Sequence, residues 1–140
     1  MYSSRSRTGV DLALLVIRLT LGLTMMGHGA QKLFGWFGGR GFEAFTDSVA
    51  RMGFQPAPMF AALAVGSEIL GGLMVALGVL TELGALGIII TMLVAIWKVT
   101  GKRGFFVQDN GYEYNVLIIA VCVALILAGP GRFALWRWRR

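Results

Sequence analysis

A chain of 140 residues is a single domain by length, and this one is 56% apolar and only 14% charged, with a mean hydropathy of +0.71. A soluble domain carries roughly 25% charged residues, so too few are present here to cover a water-facing surface. The formal net charge of +6 does not point to nucleic acid, because the charges avoid the apolar stretches and gather at their ends, as they do in an integral membrane protein.

The first apolar stretch, residues 12–34, follows Arg5 and Arg7 as a signal peptide would. It is longer than an h-region and no clean small-x-small cleavage site follows, so it is read as an uncleaved first span. Three more stretches, 58–80, 83–100 and 113–129, complete the pattern. A spanning helix needs about 20 residues, so the first two qualify outright and the last two need their flanks. The fold expected for residues 1–140 is all-α, one transmembrane domain built as an antiparallel four-helix bundle with both termini on one side.

Between the first two stretches, Phe42, Phe45, Val49 and Met52 recur at helical spacing, while Glu43, Asp47 and Arg51 fall four apart on another face. This predicts a short amphipathic helix at the outer interface, ended by Pro56 and Pro58. Only Thr81-Glu82 separates the second and third stretches, with Gly84 close behind, which predicts a helical hairpin. The loop Gly101–Tyr112 contains Asn110-Gly111, a turn signal. Arg5, Arg7, Arg132, Arg137, Arg139 and Arg140 outnumber Arg40, Arg51, Lys102 and Arg103, so the termini are expected to be cytoplasmic. Trp136 and Trp138 among the last arginines read as an anchor in contact with membrane lipid. Glycines within the spans, Gly22, Gly29, Gly71, Gly72 and Gly84 among them, read as faces where helix backbones approach closely.

Charges inside hydrocarbon each need a partner or water. Arg18 on the first helix and Glu68 on the second are expected to pair. The alternative sends Arg18 to the cytoplasmic headgroups and leaves Glu68 protonated. Towards the outer end, His28, Gln31 and Lys32 share a helical face, the third span ends with Lys98, and the fourth begins with Glu113, Tyr114 and Asn115. Together with Glu68 these seven form a candidate binding site, flanked by Trp36 and Trp97, in which histidine and glutamate could shuttle protons and lysine could hold an anion or a quinone oxygen. The same residue types also suit a helix end at the interface with no ligand. One histidine and one cysteine, Cys122, give no metal or haem ligand set, and no phosphate loop is present. Cys122 itself reads as a small apolar packing residue.

The runs RLTLGLTMMGHGAQKLFGWFGG (Arg18–Gly39), GSEILGGLMVALGVLTELGALG (Gly66–Gly87), GFFVQDNGYEYN (Gly104–Asn115) and GPGRFAL (Gly129–Leu135) resemble the DoxX family in order and spacing. The resemblance implies a four-helix protein of the bacterial inner membrane, of a kind linked to thiosulfate:quinone oxidoreduction and to complexes that handle oxidative stress. It carries Arg18, His28, Gln31, Lys32, Glu68, Glu113, Tyr114 and Asn115 as motif positions, whereas Lys98 stands where many members have histidine. The leading expectation is an accessory or quinone-interacting subunit of a membrane redox system, with protein partners in that complex. The alternatives are an assembly protein for a soluble oxidoreductase and, behind it, a passage for protons or small solutes, which four short helices would support only as an oligomer.

Overall fold

A computed structural model describes residues 4–136 and holds five α-helices, with no strand among the described residues. They are α1 (Ser4–Phe34), α2 (Phe42–Arg51), α3 (Ala57–Leu77), α4 (Thr81–Ala95) and α5 (Glu113–Ala128). Three stretches, Arg7–Phe34, Ala57–Leu77 and Thr81–Arg103, are long and apolar enough to cross a bilayer, and α5 is a shorter apolar helix. The basic cluster Arg137, Arg139 and Arg140 and the anchor residue Trp138 lie outside the described residues.

α3 is central, packing against α1 on one side and α4 on another, and α4 in turn carries α5. Glycines set these approaches. A methyl group added at Gly72 would lie 2.6 Å from the Gly22 carbonyl oxygen, and one at Gly71 would lie 3.0 Å from that of Gly84. Two adjacent glycines on α3 thus serve two different neighbours, Gly72 facing α1 and Gly71 facing α4. Without a hydrophobic force between helices in lipid, such backbone proximity supplies the van der Waals contact that holds them. Gly22 meets Gly72 while Gly29 meets Ile69, so α1 and α3 run antiparallel.

The packed interior is apolar: Leu21, Met25, Val75, Ala85, Ile88, Met92, Ile118, Cys122 and Leu125 form its main cluster. Large apolar side chains also cover the outside, including Val16, Leu23, Leu63, Leu70, Ile90 and Leu117, while Arg18, Glu68, Thr81 and Asn115 are buried. An apolar exterior around an apolar core that also holds a few polar groups departs from the soluble pattern.

The boundaries differ from those read in the sequence at three places. α3 stops at Leu77, and the link to α4 is Gly78–Leu80 rather than Thr81-Glu82, which form the first turn of α4. Gly78 (φ 74°) caps α3 in the left-handed conformation, its amide and that of Val79 both reaching the Met74 carbonyl. The third stretch is α-helical only to Ala95 and continues as a wider π turn over Ile96–Thr100. The helix α2 forms where the spacing predicts it, with Val49 buried and packed with Ala57 and Ala61 at the start of α3. Asn110 adopts the left-handed conformation (φ 57°) that the Asn-Gly signal requires.

Candidate functional site

The expected pair of Arg18 with Glu68 does not form. The register set by Gly22 and Gly72 places Arg18 beside Val75 and Ala76, about 11 Å along α3 from Glu68 at ~1.5 Å per residue, beyond the reach of the side chain. Both groups are nevertheless buried and partnered. Arg18, 1% exposed, donates from Nε to the Val75 carbonyl (3.1 Å), from Nη2 to Ala76 (3.1 Å) and Phe133 (3.5 Å), and from Nη1 to Pro130 (2.8 Å). Val75 and Ala76 stand in the last turn of α3, where carbonyls have no helical donor and the helix dipole is negative. The guanidinium therefore meets several partial negative charges instead of one carboxylate.

Glu68 is fully buried and pairs through Oε1 with the ammonium of Lys32, one helix away. Lys32 is half-buried and also sits 5.0 Å from the centre of the Phe45 ring, so α2 covers the pair from outside. The second carboxylate oxygen, Oε2, is buried without a protein partner. A buried acceptor left unmatched costs about 1–3 kcal/mol, so this atom marks a place where a donor belongs.

Beside the pair runs a second chain of bonds. The Tyr114 hydroxyl lies 2.9 Å from His28 Nε2, His28 Nδ1 lies 3.1 Å from Gln31 Oε1, and Gln31 Nε2 donates to the Phe37 carbonyl at 3.2 Å. The turn of α1 that carries His28, Gln31 and Lys32 thus presents all three to α3, α5 and the loop after α1. That loop returns sharply: Gly35 (φ 74°), Phe37 (φ 54°) and Gly38 (φ 78°) are all left-handed, and the Gly41 amide bonds the Gln31 carbonyl (3.2 Å). An open recess of about 200 Å³ lies here, lined by Gln31, Lys32, Arg40, Gly41, Phe45 and Ser48. Tyr114 is within Coulombic range of Glu68, so the two chains share one electrostatic environment.

Of the residues named from the sequence, the structure brings together His28, Gln31, Lys32, Glu68 and Tyr114, and separates the other three. Lys98 turns outward, its ammonium 3.9 Å from the centre of the Trp97 ring and 5.6 Å from that of Phe54. The extra residue in the π turn rotates the end of α4, so that Thr100 takes the inward position and donates to Asn115 Oδ1 at 3.0 Å. Asn115 is buried and its Nδ2 faces the Met92 sulfur at 3.4 Å, which commits it to the α4–α5 contact. Glu113 accepts from the Val107 amide (2.9 Å) and closes its own loop. Thr100 and the carbonyls that hold Arg18 were not named from the sequence. A π turn has no spacing signal, although Gly129-Pro130-Gly131 does announce backbone that no helix can saturate.

Comparison with known proteins identifies the family. Residues 13–101 match the DoxX family model. The chain is 29% identical over 128 residues to an uncharacterized protein of Haemophilus influenzae, covering 91% of this chain and 83% of that one. It is also 29% identical over 137 residues to an uncharacterized membrane protein of Mycobacterium tuberculosis, covering 89% and 80% respectively. No solved structure matches the chain. The family match takes in His28, Gln31, Lys32 and Glu68, and the chain belongs to the DoxX family of membrane proteins.

Proposed function

We propose that this protein is a quinone-interacting subunit of a membrane redox system. It crosses the bacterial inner membrane four times, on α1, α3, α4 with its π turn, and α5, with both termini in the cytoplasm and α2 lying at the outer interface. The arginine bias read from the sequence supports that orientation. The exposed apolar side chains on these helices support contact with acyl chains, and the single transmembrane domain spans residues 1–140.

One observation carries the functional reading: the buried Oε2 of Glu68, unmatched, beside Lys32 and the Tyr114–His28–Gln31 chain. A quinol hydroxyl is a donor suited to that oxygen, and a quinone carbonyl suits the lysine ammonium. The open recess is lined by Gln31 and Lys32 themselves, and Phe45 gives a ring a flat apolar wall. In this reading Glu68, Lys32, His28 and Tyr114 bind and orient the headgroup, and a partner protein supplies or takes the electrons. The test is titration of a menaquinone or ubiquinone analogue into the purified protein in nanodiscs. Glu68→Gln and His28→Gln should each weaken binding tenfold or more, and unchanged affinity in both variants refutes the site.

A second reading, an assembly protein for a soluble oxidoreductase, is favoured by the aromatic surface at the same end. Phe34 at the end of α1 and Trp36 and Phe37 on the loop after it are exposed, with Phe34 stacked on Trp36 at 4.7 Å, and Phe105 and Phe106 are exposed on the loop before α5. Co-purification of such an enzyme that survives His28→Gln but not Trp36→Ala supports this reading over the first.

A further inference from the structure

The hydrogen bonds around His28 have a direction. Gln31 Nε2 faces the Phe37 carbonyl, and an acceptor can be met only by the amide nitrogen, so Gln31 Oε1 is the atom that faces the imidazole. An amide oxygen donates nothing, so His28 Nδ1 must carry the hydrogen in that 3.1 Å contact. In the neutral ring this leaves a lone pair on Nε2, and the Tyr114 hydroxyl, 2.9 Å away, is then the donor. Free imidazole side chains favour the opposite form, with hydrogen on Nε2. The loop carbonyl of left-handed Phe37 is therefore what orients Gln31, and Gln31 what selects the ring form.

We propose that Gln31 is a positioning residue that locks His28 in the Nδ1–H tautomer, so that Nε2 is a proton acceptor reached through the Tyr114 hydroxyl. This assignment concerns the ligand-free protein and stands without the quinone reading. The transfer step it permits does rest on that reading. A quinol O–H breaks as an O–H forms on Tyr114, the original Tyr114 O–H breaks as an N–H forms on His28 Nε2, and the products are a quinolate and an imidazolium. No oxidant enters this step. The imidazolium keeps its Nδ1–H bond to Gln31, and the charged groups nearest the pair, Lys32 and Glu68, are already matched to each other.

His28 is the only histidine in the chain, so its nitrogens can be read alone. The experiment is nitrogen-15 magnetic resonance of the full-length protein, labelled at histidine, in lipid bilayers at neutral pH without quinone. The expected spectrum shows a protonated Nδ1 and an unprotonated Nε2. Gln31→Leu should shift the ring towards the Nε2–H form, and Gln31→Glu, whose carboxylate still accepts from Nδ1, should keep Nδ1 protonated. Tyr114→Phe should shift the Nε2 resonance and leave Nδ1 protonated. A wild-type spectrum with hydrogen on Nε2 overturns the proposal, as does an unchanged Gln31→Leu spectrum. If Gln31→Leu does not fold, loss of the Nδ1–H signal in Gln31→Glu overturns it equally. Failure of quinone binding with the expected spectrum refutes the ligand and leaves the tautomer standing.

Discussion

Gly22→Ala isolates the contact that fixes the register of α1 on α3. The added methyl carbon would lie 2.7 Å from Ala76 Cβ and 2.8 Å from the Ala76 amide nitrogen, and would collide with the Gly72 carbonyl oxygen. Comfortable carbon contacts are about 3.5–4.0 Å, so the helices must part by roughly 1 Å. Overpacking of this kind costs about 1–3 kcal/mol. Replacing a mid-helix glycine by alanine returns about 0.5–1 kcal/mol in aqueous helices, so the net loss is about 0–2.5 kcal/mol, centred near 1. Gly27→Ala is the control, because a methyl group there meets nothing within 4 Å on the same helix. Reversible unfolding in mixed micelles should show Gly22→Ala destabilised and Gly27→Ala unchanged or slightly stabilised. Gly72→Ala should behave like Gly22→Ala, and the double variant should lose less than the sum, since one separation relieves both collisions. If Gly22→Ala is as stable as Gly27→Ala, the register described above is wrong, and with it the reason Arg18 misses Glu68.

The ion pair should respond asymmetrically. Lys32→Met strands a fully buried carboxylate, which must take up a proton to stay in place, at a cost of about 3 kcal/mol, while Glu68→Gln leaves a half-buried lysine that can turn outward, at about 1 kcal/mol. The same micelle titration measures both, and equal losses would contradict the burial difference. Arg18→Lys should cost about 2–4 kcal/mol despite keeping the charge, because one ammonium cannot reach carbonyls on both α3 and the segment after α5. Its check is faster proteolysis near the C-terminus, and wild-type resistance counts against the clasp. Phe37→Asn should gain up to about 1 kcal/mol, since asparagine tolerates the left-handed conformation better than phenylalanine. Cys122 should resist maleimide in the folded protein and react after denaturation, because it is fully buried.

The helices were legible because lipid demands long apolar runs, and α2 because its Phe42–Phe45–Val49 stripe repeats against a charged face. Glu68 and Lys32 were legible as residues that hydrocarbon would force inward. Their pairing was not, because it depends on which glycine of α1 meets which glycine of α3. Pairing Glu68 with Arg18 requires the two to lie level, whereas the backbone contact of Gly22 with Gly72 sets them apart and Ile69 faces Gly29. Near the turns, composition misleads in another way: Glu113 and Lys98 carry suitable chemistry, yet one closes its own loop and the other is rotated away by a π turn. The preference of Arg18 for carbonyls was hidden because nothing in the sequence places the unsaturated backbone around Gly129-Pro130-Gly131 beside it.

The clasp around Arg18 also bears on how the chain is made. The guanidinium belongs to α1, whereas its acceptors are Val75 and Ala76 on α3 and Pro130 and Phe133 after α5. During synthesis this cation can meet its two α3 carbonyls first, and it gains the other two only once the segment after α5 has been made. Loss of the segment from Pro130 onward would therefore leave part of a buried guanidinium without acceptors, and the gap would fall on α1, far along the chain from the missing residues.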